Sequence, residues 1–202
     1  LMDELTPTAK NIGAVNTIYK RNDKLIGDNT DALGFLSDLN RVWSEAKSKI
    51  VNRKSAIILG AGGSARAIVY ALVNDGWEVT LAARRIEQAQ QLADSIDNYQ
   101  LTIANYSNLQ FSIYDLLVNT TPLGMTPNTE TSPLPENTVL SKSTFVYDLV
   151  YNPRETKLVR DARSQGLSAS TGLGMLIEQA ALAFEKWTGA SADRAAMQQA
   201  VS

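Results

Sequence analysis

Cysteine and histidine are both missing from the 202 residues of the sequence. Without cysteine, the chain has no disulfides, no thiolate nucleophile and no cysteine metal ligand. Without histidine, it lacks the commonest zinc ligand and the commonest general base. Lysine, aspartate, tyrosine, bound water or a cofactor must therefore carry any chemistry, and we expect no metal site.

Long apolar runs and a strong net charge are missing as well. No run reaches the roughly 18–20 apolar residues of a membrane span, and no secretory signal pattern is present. The formal net charge is only −2, and no basic patch is evident in the sequence. We therefore expect a cytoplasmic protein without a membrane or nucleic-acid partner. The 44% hydrophobic content predicts a folded globular chain rather than a disordered one.

From residue 55 onward, short apolar runs alternate with amphipathic helical patterns. Strands that alternate with helices form right-handed crossovers, so the pattern predicts an α/β fold, a Rossmann-like doubly wound parallel sheet with helices on both faces. The predicted strands are 55–59, 77–83, 101–104, 115–120 and 145–150, and the predicted helices are 64–74, 86–96, 155–165, 172–187 and 192–201.

The residues before this unit follow a different pattern. Two short strands over 13–19 and 24–27, joined by a polar run, predict a hairpin. Apolar residues three or four positions apart then predict an amphipathic helix over 31–47, which Asn29 or Thr30 could cap.

A glycine-rich loop joins the first strand and the first helix of the α/β unit. Its pattern is G-x-G-x-x-A, in the strand–loop–helix context that binds a dinucleotide. The glycines permit a tight turn and close approach of the backbone to a pyrophosphate, which the free amides of the helix start can bind. The alternative is a glycine-rich turn without a ligand. The loop residues are Gly60, Ala61, Gly62, Gly63, Ser64 and Ala65.

Two arginines, Arg84 and Arg85, follow about twenty residues after the glycines, at the end of the second strand. NAD enzymes usually place an acidic residue there to bind the ribose hydroxyls. Guanidinium groups suit a 2′-phosphate instead, so the pair favours NADP over NAD. A solvated, basic strand end is the alternative interpretation.

Four polar residues are ambiguous when each is considered alone. Asp31 opens a predicted helix, where an acidic residue in the first turn stabilises the helix. Asn16, in an otherwise apolar predicted strand, must either find partners inside the protein or lie on an edge strand. Tyr151 and Gln179 are ordinary packing or surface residues by themselves.

A series of separate motifs runs along the chain in a fixed order. The motifs are Leu5–Pro7, Gly13–Thr17, Gly27–Asp31, Gly60–Arg66, Asn119–Met125, Asp148–Pro153, Glu155–Thr156, Gly172–Leu176 and Gln179–Ala180. In this order they resemble the shikimate dehydrogenase family, which includes quinate/shikimate dehydrogenases, from residue 2 to about residue 189. The resemblance implies reversible reduction of 3-dehydroshikimate to shikimate with NADPH in aromatic amino-acid biosynthesis.

The resemblance also implies roles for individual residues. Asp31 is the catalytic residue, because it pairs with the family's catalytic lysine and binds substrate. Asn16, Tyr151 and Gln179 complete the substrate shell. The cofactor residues are the loop Gly60, Ala61, Gly62, Gly63, Ser64 and Ala65 at the pyrophosphate, Arg84 and Arg85 at the adenosine phosphate, Thr120 in the cleft, and Leu149, Gly172 and Met175 near the nicotinamide.

The resemblance divides the chain into four parts. Residues 1–30 are the C-terminal remnant of an α/β substrate domain, 31–50 a connecting helix, 51–166 the NADP-binding domain, and 167–202 helices that return to the substrate domain. The family's catalytic-lysine motif is missing, and Leu1 is expected to lie in the middle of a helix. We therefore expect a fragment that binds NADP, turns over poorly, and could form a homodimer.

Two departures from the family pattern are visible. Ala83 and Gln88 stand where the family places an asparagine and a second basic residue, which leaves the strength of the preference for NADP over NAD open. Thr171 replaces a common aspartate, and nothing in the sequence explains this change. Two alternative functions remain, a non-catalytic nucleotide- or shikimate-binding regulatory protein of the same fold, and an NAD-dependent quinate/shikimate dehydrogenase.

Overall fold

Two β-sheets organise the residues that the computed structural model describes, which are 2–46, 54–96, 101–106, 109–136 and 138–201. The smaller sheet has three strands, β1 (Glu4–Leu5), β2 (Thr17–Arg21) and β3 (Lys24–Asp28), in the order β1-β3-β2. β3 pairs in parallel with β1 and antiparallel with β2.

A short helix, α1 (Pro7–Ile12), connects β1 to the predicted hairpin. The Thr6 side chain accepts a hydrogen bond from the Ala9 amide at its start, and Gly13 ends it with a left-handed φ of 70°; both features are typical of helix ends. The expectation of a helix around Leu1 is wrong for Glu4 and Leu5, which form a strand that pairs with Ile26 and Gly27 of β3.

The hairpin is confirmed, but its first strand begins at Thr17 rather than at residue 13. Gly13 ends α1, so the following residues form a connection, and Asn16 lies directly before the strand rather than inside it. The turn itself contains Asn22 and Asp23, both with positive φ, as asparagine and aspartate tolerate.

The connecting helix α2 (Asp31–Glu45) begins where predicted. It buries Phe35, Leu39 and Trp43 on one face, as its periodicity predicts. Residue 47, the predicted end, and the predicted boundary between residues 50 and 51 lie outside the described residues.

The larger sheet has six strands, all parallel. They are β4 (Ser55–Leu59), β5 (Glu78–Ala83), β6 (Thr102–Asn105), β7 (Leu116–Asn119), β8 (Phe145–Asp148) and β9 (Ala169–Thr171), in the spatial order β6-β5-β4-β7-β8-β9. Counted within this sheet, the order is 3-2-1-4-5-6, the doubly wound arrangement in which a dinucleotide crosses the sheet where the order reverses. The predicted fold class is confirmed.

Helices cover both faces of this sheet. They are α3 (Gly63–Asn74), α4 (Ile86–Asp94), α5 (Lys157–Ser164) and α6 (Leu173–Thr188), with α7 (Arg194–Ala200) at the end and a 3-10 helix over Phe111–Ile113. The consecutive residues Ile57 and Ile58 of β4 belong to two different apolar clusters, because neighbouring side chains of a strand point to opposite faces. The predicted strands and helices from residue 55 onward are confirmed, with ends that differ from the predicted ones by up to two residues. β9 and the 3-10 helix were not predicted.

The C-terminal end of α6 returns to the smaller sheet. The Trp187 indole Nε1 donates to the Ile18 backbone oxygen of β2 at 2.8 Å, and Lys186 Nζ lies 2.7 Å from a carboxylate oxygen of Asp28 in β3. The first and last parts of the described chain are therefore in direct contact.

Candidate cofactor and substrate site

The glycine loop between β4 and α3 is open on its outer side. Gly60 has φ +111°, and a Cβ there would lie 2.7 Å from Thr120 Oγ1, so the turn requires glycine. A Cβ on Gly62 or Gly63 would meet no atom within 4 Å. The start of α3 has no side-chain cap, so its first amides can bind an anion.

A cleft of about 810 Å³ lies at the carboxyl edge of the larger sheet. It brings the glycine loop together with Arg84, Arg85 and Thr120, as the sequence predicts for one cofactor site. Its lining is Gly60, Ala61, Gly62, Ala83, Arg84, Arg85, Gln88, Asn105, Tyr106, Thr120, Thr121, Pro122, Leu123, Ser132, Pro133, Leu134 and Pro135. Gly63 and Ser64 follow, exposed, on the first turn of α3, and Ala65 is buried.

Arg84 and Arg85 are exposed at the carboxyl end of β5. In the described part of the chain, neither guanidinium forms a salt bridge with a carboxylate. Tyr106 lies nearby, where burial raises the pKa of its hydroxyl and the charge of Arg84 lowers it. This end of the cleft therefore offers two cations and a neutral aromatic ring.

Leu149, Gly172 and Met175 form a second group outside the lining of this cleft. Gly172 lies so close to the Leu149 backbone oxygen that any Cβ would collide with it. Met175, buried on the first turn of α6, has its backbone amide beside the Tyr147 hydroxyl. The structure thus brings together the three residues that the family resemblance assigns to the nicotinamide end.

The predicted substrate residues Asn16 and Asp31 are directly bonded. Asn16 Nδ2 donates to Asp31 Oδ1 at 2.8 Å and to Thr30 Oγ1 at 3.0 Å. Asn16 Oδ1 accepts from the Thr30 amide at 2.9 Å and from the Thr17 hydroxyl at 2.9 Å. Asn16 is exposed, yet its amide group is fixed by four neighbouring groups and points its nitrogen at the Asp31 carboxylate.

The Asp31 carboxylate does not cap its own helix. Asn29 Oδ1 accepts the Asp31 amide at 3.0 Å, whereas the Thr30 side chain makes no capping bond. Partial burial raises the pKa of Asp31, and the hydrogen bond from Asn16 lowers it by less. The carboxylate is thus kept in place by Asn16, with a higher proton affinity than an exposed aspartate.

Gln179 and Tyr151 lie on different elements. Gln179, on α6, packs against α2 at Gly34, where a Cβ would come within 2.8 Å of the backbone nitrogen of Gln179. Its side chain donates to the Leu176 backbone oxygen at 3.0 Å. Gly34 is three residues after Asp31, so Gln179 packs beside the first turn of α2. Tyr151 follows β8 and is 47% exposed.

Two buried aspartates, one at the end of β8 and one on α2, were not predicted to be site residues. Asp148 accepts hydrogen bonds from the Asn119 side chain, the Val150 amide and the Thr156 hydroxyl, at 2.8, 3.1 and 2.6 Å. Burial raises the pKa of Asp148 to about 6, although these bonds lower it. A carboxylate inside an otherwise apolar predicted strand was the available signal.

The second buried aspartate is Asp38 of α2. It accepts from the Tyr147 hydroxyl at 2.6 Å and from Arg41 Nε at 3.1 Å, and a Cβ on Gly174 would collide with its carboxylate. Burial, followed by the negative charge of Asp38, raises the pKa of Tyr147 well above its ordinary value. An aspartate three residues after Phe35, on the apolar side of α2, was the signal in the sequence.

Neither a metal centre nor a membrane span appears in the described residues. They contain no group of three or more acidic residues placed to hold a metal ion. None of the helices described above combines the length and apolar character that crossing a bilayer requires.

Two family models match the chain. "Shikimate / quinate 5-dehydrogenase" matches residues 44–157, and "Shikimate 5'-dehydrogenase C-terminal domain" matches residues 172–201. The curated shikimate dehydrogenase (NADP(+)) of Bacillus cereus strain AH187 is 38% identical, over 99% of this chain and 72% of that protein. Its counterpart from Carboxydothermus hydrogenoformans is 40% identical, over 99% of this chain and 71% of that protein.

Solved structures give the same assignment. Shikimate 5-dehydrogenase from Thermus thermophilus, in complex with NADP(H) and shikimate, is similar with a TM-score of 0.85 and 37% identity, over 98% of this chain and 71% of that one. Quinate dehydrogenase from Corynebacterium glutamicum, in complex with NAD, has a TM-score of 0.88 and 32% identity, over 99% and 71%. The chain therefore belongs to the shikimate dehydrogenase family of oxidoreductases.

Proposed function

We propose that this chain binds NADP across the carboxyl edge of its larger sheet for the reversible reduction of 3-dehydroshikimate to shikimate. The observation that carries the proposal is one cleft that combines an open glycine loop with two arginines that pair with no carboxylate of the described chain. The relatives named shikimate dehydrogenase (NADP(+)) support the choice of cofactor.

The strand order assigns each half of the cofactor to one side of the cleft. The pyrophosphate binds at the reversal point between β4 and β7, on the amides of Gly62, Gly63 and Ser64. The adenosine 2′-phosphate then lies toward β5, where Arg84 and Arg85 offer donors and positive charge. The nicotinamide lies toward β7 and β8, near Thr120, Leu149, Gly172 and Met175.

The bound cofactor supplies the hydride, and the residues of this chain bind and orient the two reactants. Asn16 and Asp31 bind substrate hydroxyls, because an amide and a carboxylate fixed side by side offer a donor and an acceptor. Gln179 and Tyr151 complete the substrate shell. Asp31 is also suited to pair with a cationic proton carrier, because burial penalises its negative charge, raising its pKa, and Asn16, the side chain that donates to it, is neutral.

We predict that no lysine of this chain is that proton carrier. None of the nine lysines of the chain lies in the motif that the family resemblance assigns to the catalytic lysine. Lys186, on α6, pairs with Asp28. We therefore expect the 202-residue chain to bind NADP but to turn over slowly. A robust steady-state rate of shikimate-dependent NADPH formation by this chain alone would contradict the expectation.

We assign the parts of the chain as follows. Residues 1–30 form the end of a substrate domain, 31–50 the connecting helix, 51–166 the NADP-binding domain, and 167–202 helices that return to the substrate domain. The chain spans 72% of its Bacillus relative. A cytoplasmic location and a homodimer stay predictions.

A second candidate is oxidation of quinate with NAD. Gln88, a neutral residue, lines the adenosine end of the cleft where the family pattern places a cation, and the similar Corynebacterium structure is a quinate dehydrogenase in complex with NAD. A non-catalytic binding protein of the same fold is the third. Upstream sequence containing the lysine motif would favour the enzyme over the binding protein.

The decisive experiment is calorimetric titration of NADP and NAD into the folded chain, with Gly62→Ala as the test variant. Gly62 has an ordinary φ of −88° and space for a methyl group, so the variant should keep its thermal unfolding midpoint. The methyl group would block the pyrophosphate, so we expect at least about tenfold weaker NADP binding. Absence of NADP binding by the native chain at millimolar concentration would overturn the proposed function.

Arg84→Ala separates the two cofactors. We expect it to weaken NADP about tenfold or more while NAD binding changes little, because only NADP carries the 2′-phosphate. Equal weakening of both would contradict the 2′-phosphate contact. Comparing turnover of shikimate and quinate, in a protein that contains the catalytic lysine, then separates the two enzyme candidates.

A further inference from the structure

Asp148 lies at the point where two loops leave adjacent strands. It is the last residue of β8 and pairs in register with Asn119, the last residue of β7. The loop after β7 supplies Thr120–Leu123 to the cleft, and the segment after β8 contains Leu149 and Tyr151. Both segments begin within hydrogen-bond reach of one fully buried carboxylate.

The first loop is connected to Asp148 through Asn119. Asn119 Nδ2 donates to Asp148 Oδ1 at 2.8 Å. This bond turns Asn119 Oδ1 toward the loop, where it accepts from the Thr121 amide at 2.9 Å and from the Thr121 hydroxyl at 2.7 Å. Asn119 Nδ2 also donates to the Leu123 backbone oxygen, at a longer 3.4 Å, so the carboxylate of Asp148 is the nearer of the two acceptors that orient the Asn119 amide and the wall of the cleft.

The second segment is connected directly. Asp148 Oδ1 also accepts from the Val150 amide at 3.1 Å, which bends the chain immediately after Leu149. Asp148 Oδ2 accepts from the Thr156 hydroxyl at 2.6 Å, and the end of the first loop packs on Thr156, since a Cβ on Gly124 would lie 3.5 Å from its Cβ. The two segments are thus held to the same residue and to each other.

This arrangement is poorly explained by stability alone. The groups that bind the carboxylate are an amide side chain on β7, a backbone amide and a hydroxyl before α5, and none of these three is charged. A buried carboxylate without a positive partner is costly. In return for this cost, the carboxylate fixes the positions of three segments, because it has enough acceptor sites for one donor from each.

We propose that Asp148 is a positioning residue that sets the nicotinamide end of the cofactor site by fixing the loops after β7 and β8. The inference rests on the proposed function, since it assumes that NADP occupies the cleft in the orientation given above. Asp148 itself is fully buried and acts only through Asn119, Val150 and Thr156.

The test compares the whole cofactor with its adenosine half. NADP reaches both segments, after β7 and after β8. Adenosine 2′,5′-bisphosphate occupies the arginine end and the glycine loop, meets the loop after β7 only where Thr120 and Thr121 lie against Gly60, and stops short of Leu149. We expect Asp148→Ala to weaken NADP binding about tenfold, the effect of one lost charged hydrogen bond. The bisphosphate should bind within about twofold of the native chain. A residue that merely supports the fold would affect both ligands alike.

Asp148→Asn is the rescue variant. Its amide oxygen can accept from Asn119 and Val150, and its NH₂ group can donate to Thr156 Oγ1, so NADP binding should return to within about twofold of the native value. Asp115→Asn is the matched control. Asp115 binds the Ser55 amide and hydroxyl at 3.1 and 2.9 Å at the opposite, amino edge of the same sheet, so both ligands should bind normally.

Asn119→Ala replaces Asp148→Ala if the latter does not fold, and we expect the same selective loss of NADP affinity. A folded Asp148→Ala or Asn119→Ala chain that binds NADP normally, or loses both ligands equally, would overturn the positioning role. So would Asp148→Asn if it fails to restore NADP binding while folded. Failure of the native chain to bind NADP would instead overturn the proposed function.

Discussion

Two buried carboxylates meet at β8, that of Asp38 from α2 and that of Asp148 at the end of the strand, and they are stabilised by different kinds of partner. On one side, Asp38 has a charged partner, Arg41, and a hydroxyl partner, Tyr147. On the other side, Asp148 has only neutral donors. Tyr147 and Asp148 are consecutive, so a single strand separates the two environments.

The difference indicates different tasks. Asp38 joins α2 to β8 beneath the first turn of α6, where Gly174 leaves room for it, so it fixes the packing of whole elements. Asp148 joins loops at the edge of the sheet, where ligands of doubly wound folds bind. We expect changes at Asp38 to lower stability at every pH, and changes at Asp148 to alter ligand binding and the dependence of stability on pH.

The largest effect is expected for Asp38→Ala. It leaves the Tyr147 hydroxyl buried without its acceptor and opens a small cavity, so the free energy of unfolding should fall by about 3–4 kcal/mol. Urea denaturation followed by fluorescence of the three tryptophans measures this loss. Tyr147→Phe should cost less, about 2 kcal/mol, because Arg41 still pairs with the carboxylate. A smaller loss for Asp38→Ala than for Tyr147→Phe would contradict this account.

Asp148→Asn measures how much the free energy of unfolding falls when a carboxylate is buried among uncharged donors. An aspartate whose pKa rises to about 6 in the folded protein from about 3.9 in the unfolded chain binds more protons when folded. Its contribution to stability is therefore largest below pH 4 and is lost as pH rises to 6. We expect the native chain to lose about 2 kcal/mol relative to Asp148→Asn between pH 4.5 and pH 7, in urea titrations at pH 4.5, 5.5 and 7. A difference that does not change with pH would refute the assignment.

Thr156→Val examines the link between Asp148 and α5. The Thr156 side chain both donates to Asp148 and accepts the Val159 amide at the start of α5. Losing a helix cap typically costs about 1 kcal/mol, and a comparable decrease is expected in the free energy of unfolding. Thr138→Val, at a half-buried loop position where the hydroxyl forms a solvent-exposed bond to the Pro135 backbone oxygen, is the control and should stay within about 0.5 kcal/mol of the native chain.

The smallest effect is expected for Arg41→Gln. The Arg41 side chain is 52% exposed, so water can replace part of its interaction with Asp38, and the loss should stay at or below about 1 kcal/mol. Thermal unfolding in low and high salt provides the measurement. A loss as large as that of Asp38→Ala would mean that the ion pair, and not the bond to Tyr147, maintains the packing of α2.

Local signals were sufficient to predict the larger sheet and the glycine loop. β4 is a continuous apolar run that ends at Gly60, and the positive φ of that glycine is a property of the turn itself. Shorter elements were missed for a physical reason. β1 has two residues and β9 has three, too few to display a period, and both are held by pairing with β3 and β8.

Partnerships between distant residues could not be predicted from pattern alone. Tyr147 lies 109 residues from Asp38, and Asn119 lies 29 residues from Asp148, so no window of the sequence contains either pair. The Asn16–Asp31 bond is closer in sequence, but the prediction placed Asn16 inside a strand. Family resemblance suggested that both residues bind substrate, while their mutual hydrogen bond became evident only in the structure.

The return of α6 to the smaller sheet has a kinetic consequence. The bond from Trp187 to Ile18 spans 169 residues, and closing so long a loop is entropically unfavourable until the intervening domain is compact. The hairpin can form early by itself, but its attachment to α6 must wait for the six-stranded sheet. Refolding should therefore restore the environment of Trp187 last, after the two tryptophans that pack together in the interior, Trp43 and Trp77.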